Sequence, residues 1–142
     1  MERKEFIQQC TFACLSIAGL LAFMQSCASV KYVQVTKENN KLKIARAEFF
    51  KETQARKYIV VKAVELNFPI VVYRFSDTDY SALLLQCTHQ GVELNVNGDV
   101  LTCSAHNSEF SNKGSVIQGP AEQKLVSYKV SSDTENIYIH LF

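Results

Sequence analysis

The chain has 142 residues with 47% hydrophobic and 20% charged side chains, enough to bury one modest core and too few for two ordinary domains. Its 15 Lys and Arg stand against 14 Asp and Glu, so a formal charge of +1 supplies neither the basic field of a nucleic-acid binder nor an acidic field for cations. Gly 5 and Pro 2 are sparse among well-spread apolar residues, which excludes fibrous repeats and general disorder.

Residues 1 to 27 place Arg3 and Lys4 ahead of a mostly apolar run from Thr11 to Met24, followed by Gln25, Ser26 and Cys27. A charged start, a short apolar run and a small residue before the break make the layout of an export leader. The run is shorter than the ~20 residues that a spanning helix requires, so cleavage is expected over retention as a short anchor. Cys27 after Ser26 resembles the cysteine of a bacterial lipoprotein signal, which becomes the lipidated N-terminus. The other reading makes it a small residue of an ordinary leader, like Cys10 and Cys14. Arg3-Lys4-Glu5-Phe6-Ile7 is similar to a twin-arginine leader with Lys in the second basic position, a route that exports proteins already folded around cofactors. These likenesses imply a domain outside the cytoplasm, on the periplasmic face of a bacterial membrane.

Residues 28–40 are polar with apolar Tyr32 and Val35, which predicts a linker ending in an edge strand. From 41 to 142, short runs rich in Val, Ile, Tyr and Phe recur: Lys43 to Ala45, Tyr58 to Val61, Ile70 to Phe75, Tyr80 to Gln86, Val100 to Thr102, Leu125 to Val130 and Ile137 to Leu141. Such runs between polar breaks predict an all-β sandwich or barrel. Only Ala47 to Lys57 reads as a short helix. Asn97-Gly98 suits a tight hairpin turn that needs positive φ.

The chemistry is concentrated in Cys87-Thr88-His89 and Cys103-Ser104-Ala105-His106, two short loops separated by a 13-residue spacer that holds this hairpin. Two thiols and two imidazoles suit zinc or an iron–sulfur cluster. A zinc finger groups its cysteines together and its histidines together, whereas here each loop contributes one of each. In an exported protein, Cys87 and Cys103 could also form a structural disulfide, a reading that leaves both histidines unexplained. His140 falls in a terminal strand and reads as a surface or packing residue.

At these residues the sequence resembles the Rieske iron–sulfur family, whose motif is Cys-x-His, a spacer, then Cys-x-x-His. Gln90-Gly91 after the first loop, Ser108 and Phe110 after the second, and Gly119-Pro120-Ala121 with Leu125 extend the likeness over residues 41 to 142. The resemblance implies an antiparallel sandwich or barrel carrying a two-loop subdomain. It implies one 2Fe-2S cluster held by Cys87, His89, Cys103 and His106, with Ser108, Phe110, Gly119 and Pro120 around it. Quinol-oxidising members commonly tie the loops with a disulfide, and here those positions are Val92 and Ala105. Asn107 stands where the family usually has Gly, and Asn is the next most tolerant residue of a left-handed turn.

Two ferric ions and two sulfides carry a charge that two thiolates cancel, so reduction leaves one net negative charge. His-ligated centres work between about −150 and +300 mV, which implies a one-electron carrier or the iron–sulfur subunit of a membrane-associated oxidoreductase. Rieske oxygenases add an iron held by two His and a carboxylate, and only His140 is spare for that, so no catalysis of its own is expected. The alternative is the quinol-oxidising subunit of a cytochrome bc-type complex, and an outside reading is a structural domain with a zinc-filled or vestigial site. The expected partners are a redox protein or complex and the membrane, with no nucleic acid.

Overall fold

A computed structural model describes residues 29–51 and 54–142. The leader expectations, Cys27 included, lie outside the described residues. In chain order the strands are β1 (Tyr32–Val35), β2 (Lys37–Glu38), β3 (Lys41–Ala45), β4 (Phe50–Lys51), β5 (Gln54–Ala55), β6 (Tyr58–Ala63) and β7 (Ile70–Arg74). They continue with β8 (Tyr80–Leu84), β9 (Asn95–Asn97), β10 (Val100–Thr102), β11 (Glu109–Ser111), β12 (Val116–Gln118), β13 (Ser127–Ser132) and β14 (Asn136–His140). The chain is all-β among the described residues, as its strand pattern predicts.

Eight strands form a nearly closed sheet in the order β1-β6-β7-β8-β13-β14-β3-β2. Its pairings are antiparallel except that of β1 with β6. Alternation explains the layers, because successive strand residues face opposite sides. In β6, β7 and β8, residues Ile59, Val61, Ile70, Val72 and Ala82 enter a core shared with Leu42, Ile44, Ile137 and Ile139. Their neighbours Val60, Val71, Tyr73 and Leu83 face the other way into a second core. β7 is buried at four of its five positions because both of its faces are covered.

The cover on that second face is a four-stranded sheet in the order β12-β11-β10-β9. Leu94, Leu101, Phe110, Cys87 and Cys103 join the second core, so the two-loop subdomain is seated directly on β6 to β8. Tyr73 donates its hydroxyl to the Gly98 carbonyl at 2.8 Å, pinning the β9–β10 turn to β7. Since Asn97 pairs with Val100, the central residues of that turn are Gly98 and Asp99. The expected Asn97-Gly98 turn is therefore displaced by one residue, with the positive φ of +63° at Gly98.

Two segments differ from expectation. The stretch read as a linker ending in one edge strand contributes two, β1 and β2, the two edges of the large sheet. The short helix read over Ala47 to Lys57 is replaced by a 3-10 turn over Arg46–Phe49 and the β4–β5 hairpin. Phe49 is fully buried while Ala47 and Phe50 are exposed. A helix needs an apolar stripe three and four residues apart, and this segment has one anchor.

Candidate metal centre

β8 delivers Cys87 just beyond its end, and β10 delivers Cys103 directly after Thr102. The two loops close in the same way. Cys87 N–H donates to the Val92 carbonyl and its carbonyl accepts from Gly91 N–H, both at 2.8 Å. Cys103 N–H donates to the Ser108 carbonyl at 2.9 Å and its carbonyl accepts from Asn107 N–H at 3.0 Å. Gly91 and Asn107 occupy equivalent positions with φ of +73° and +60°. Asn107 thus adopts the left-handed conformation expected of it.

Equivalent loops bring like donors together. The thiols of Cys87 and Cys103 are each 2% exposed, and both are free, so no disulfide joins them. Burial alone would push the Cys103 thiol up, but the backbone N–H groups of Ala105 and His106 and the Cys87 side chain outweigh it and hold the thiol below its ordinary value. The His89 and His106 rings meet edge to face with centroids 4.9 Å apart, and both are exposed. The thiols make an inner pair and the imidazoles an outer pair.

Among the described residues, no three His, Cys, Asp or Glu side chains converge on one point as ligands of a single ion do. A buried thiol pair and an exposed imidazole pair are the donor types of a two-iron centre, in which thiolates hold one iron and imidazoles the other. The arrangement can hold such a cluster and exchange electrons through the outer imidazoles.

A third loop locks the other two. Ala121 N–H donates to Ser108 Oγ at 3.0 Å, Thr88 Oγ1 donates to the Gln123 carbonyl at 2.6 Å, and Gln118 Nε2 donates to the Asn107 carbonyl at 2.9 Å. Gly119 and Pro120 stand at the exposed turn of this loop. Ser108 and Phe110 are fully buried, and Phe110 shares the core that contains both cysteines. Thr88, Gln118 and Gln123 were not singled out from the sequence, because their partners lie on other loops and no local pattern marks them. His140 lies apart, its Nε2 2.7 Å from Ser131 Oγ on the neighbouring strand.

A β-barrel carrying a subdomain of paired Cys/His loops packed on one face of its sheet defines an iron–sulfur electron-transfer module. The profile of the Rieske [2Fe-2S] domain matches residues 40–129, and the chain belongs to that family, which carries one 2Fe-2S cluster per chain. No curated protein matches it by sequence. Among solved structures, the plasma membrane Rieske protein PetC3 of the cyanobacterium Synechocystis PCC 6803 is 26% identical with a TM-score of 0.50, over 58% of this chain and 85% of that one. A complex of reduced oxygenase and oxidised ferredoxin in carbazole 1,9a-dioxygenase matches at 23% identity and TM-score 0.54, over 72% of this chain and 94% of that one. The quaternary ammonium Rieske monooxygenase CntA matches at 24% and 0.54, but the match covers only 32% of its chain. The shared part is the Rieske fold, and its function is 2Fe-2S electron transfer.

Proposed function

We propose that Cys87 and Cys103 hold one iron and His89 and His106 the other, and that the protein is an exported, membrane-tethered one-electron carrier or an oxidoreductase's iron–sulfur subunit. The observation that carries the ligand set is the sorting of donors, with buried thiols paired behind exposed, paired imidazoles. When bound, the cluster supplies a one-electron couple. The chain's own residues keep water from the sulfurs by packing Leu94, Leu101 and Phe110 around the cysteines. The imidazoles stay at the surface, where a partner reaches them. Iron and sulfide reconstitution should yield two irons, two acid-labile sulfides and a Rieske-type EPR signal on reduction. Stoichiometric zinc without sulfide would overturn the assignment, as would an unchanged signal in His106→Cys.

The tether is proposed from the charged start, the short apolar run and Cys27. No helix among the described residues is long and apolar enough to cross a membrane. Labelled fatty acid should enter the unmodified protein and not Cys27→Ser. No label together with an intact Met1 would mean an uncleaved anchor.

A further inference from the structure

The large sheet has a second outer face, on the other side of the first core from the subdomain that carries the cysteines. In β3 and β14 the inward residues Leu42, Ile44, Ile137 and Ile139 are no more than 1% exposed. Lys41, Lys43, Tyr138 and His140 therefore point outward, since side chains alternate along a strand. β13 adds Lys129 and Ser131 to that face, because Tyr128 and Val130 pack on the core. None of the three strands contains an Asp or Glu.

Strand register makes the basic residues neighbours. Lys129 pairs with His140 and His140 with Lys41, forming one row across three strands, and Tyr138 pairs with Lys43 in the next row. Directly opposed side chains lie about 5 Å apart. Lys41, Lys43 and Lys129 are exposed, and none joins an ion pair among the described residues. Acidic groups stand at the margins. Asp133 and Glu135 lie in the β13–β14 turn, where Asp133 Oδ2 accepts the Tyr138 hydroxyl at 2.8 Å and Arg46 Nη1 donates to the Asp133 carbonyl at 2.9 Å. At the other margin Glu38 faces Lys41 from β2, which also brings Lys37. Counting Glu38 and a carboxylate at Phe142, whose main-chain oxygen takes Asn40 Nδ2 at 2.9 Å, the four lysines 37, 41, 43 and 129 still leave this end of the face positive.

Side-chain chemistry selects the kind of surface this face fits. Protein interfaces are anchored by aromatic residues and Arg and are depleted in Lys. Here the charges are Lys without Arg, and the large apolar residues exposed elsewhere on the domain lie outside these three strands. Lipid headgroups ask only for charge within reach of the surface. β1, from which the chain leads back to Cys27, packs against β3.

We propose that the β13–β14–β3 face, through Lys41, Lys43 and Lys129, rests on an anionic bilayer surface and fixes how the domain stands on the membrane. The proposal deepens the tether reading and rests on it, because a short basic patch holds a protein to lipid firmly only beside a second anchor. The first core separates this face from β6 to β8, on which the two-loop subdomain sits. Contact through the lysines therefore leaves the subdomain on the side of the domain away from the bilayer.

The test sediments the full chain as Cys27→Ser, which carries no lipid, with vesicles of phosphatidylcholine alone or with about one third phosphatidylglycerol. Any pull by the apolar leader is common to both. Partition should favour the anionic vesicles and lose that preference as salt rises from roughly 20 to 500 mM. Lys41→Gln, Lys43→Gln and Lys129→Gln together should weaken anionic partition about a hundredfold, at about fivefold per lysine. A control triple at Lys57, Lys62 and Lys113, equal in charge change, should stay within about threefold of the parent. Should the face triple fail to fold, Lys129→Gln alone should show the single fivefold step. No preference for anionic lipid, or equal losses in both triples, would overturn the proposal. So would capture of an acidic haem protein that the face triple loses while its vesicle partition holds, because the face would then belong to a protein. Fatty-acid labelling of Cys27 reports on the tether separately, so a lipidated chain with an inert face fails this proposal and leaves the tether standing.

Discussion

Ser108 Oγ accepts the backbone N–H of Ala121 at 3.0 Å in a fully buried setting, so one hydroxyl ties the second cysteine loop to the loop that carries Pro120. One of its two lone pairs is used by Ala121, and its proton remains for the donation toward a cluster sulfur that the family resemblance implies.

Ser108→Ala should then act twice. A buried N–H left without a partner costs about 1–3 kcal/mol, and a lost hydrogen bond to a charged group about 1.5–3 kcal/mol. With 59 mV per tenfold change for one electron, the latter lowers the midpoint by roughly 60 to 130 mV. Urea unfolding of the apoprotein and film voltammetry of the loaded protein measure the two effects separately. Lost stability with an unmoved midpoint would show that the hydroxyl only joins the loops.

Two glycines of the same subdomain should respond differently to alanine. Gly114 has φ of +86°, and an added Cβ would lie 2.9 Å from Leu83 Cδ2 in the second core, whereas Gly98 has φ of +63° and open space around it. Both substitutions incur about 1–2 kcal/mol of left-handed strain. Gly114→Ala adds a clash that Leu83 must relieve by moving, so its urea midpoint should fall below that of Gly98→Ala. Equal midpoints would mean that Leu83 yields freely.

The loops were legible in the sequence because ligand chemistry and spacing are local properties. Cys87, His89, Cys103 and His106 could be named together, and Val100 to Thr102 matches β10 at both ends. The equivalence of the two loops was not legible, because the histidines sit two and three residues after their cysteines and the left-handed position is Gly in one loop and Asn in the other. Thr88 meets Gln123 across 35 residues of sequence, a relation only the folded chain creates. Asn39 and Asn40, with φ of +47° and +62°, form a two-residue hairpin turn that escaped a reading of this stretch as linker. The flanking strand β2 is only two residues long and too polar to signal itself.

Alkaline pH should weaken the fold through Tyr73. Burial, then the Tyr58 hydroxyl and the Asp99 carboxylate, push its pKa far above the ordinary tyrosine value. Below about pH 10 the side chain is neutral in both states. Above it the unfolded chain sheds the proton while the folded chain keeps it, so unfolding gains and stability falls as pH rises. Tyr73→Phe should cost about 0.5–1.5 kcal/mol at neutral pH through the lost bond to Gly98. The gap to the unmodified protein should narrow from about pH 10 upward. Denaturation series across pH 7 to 11 would contradict the linkage if that gap stayed constant.

Phe110 sets the last expectation, because it stands where relatives can carry a tyrosine whose hydroxyl donates toward a ligand sulfur. It is fully buried in the core that contains Cys87 and Cys103, so it fills volume beside the cysteines without offering a donor. The loops also lack a disulfide, since Val92 and Ala105 occupy the positions of its cysteines. Both features remove influences that hold a reduced, more negative cluster in place, which puts the midpoint in the lower half of the window of about −150 to +300 mV. Phe110→Tyr restores a donor next to the sulfurs if the packing admits one oxygen, and the midpoint should rise by tens of millivolts, within the roughly 60 to 130 mV that a charged hydrogen bond supports. The variant's hydroxyl needs a partner in so dry a site, so a rise in potential without loss of urea stability identifies the sulfur as its acceptor. A fall in stability with no change in potential would assign Phe110 to packing alone, and an unmodified midpoint near the top of the window would favour a high-potential quinol donor over a low-potential carrier.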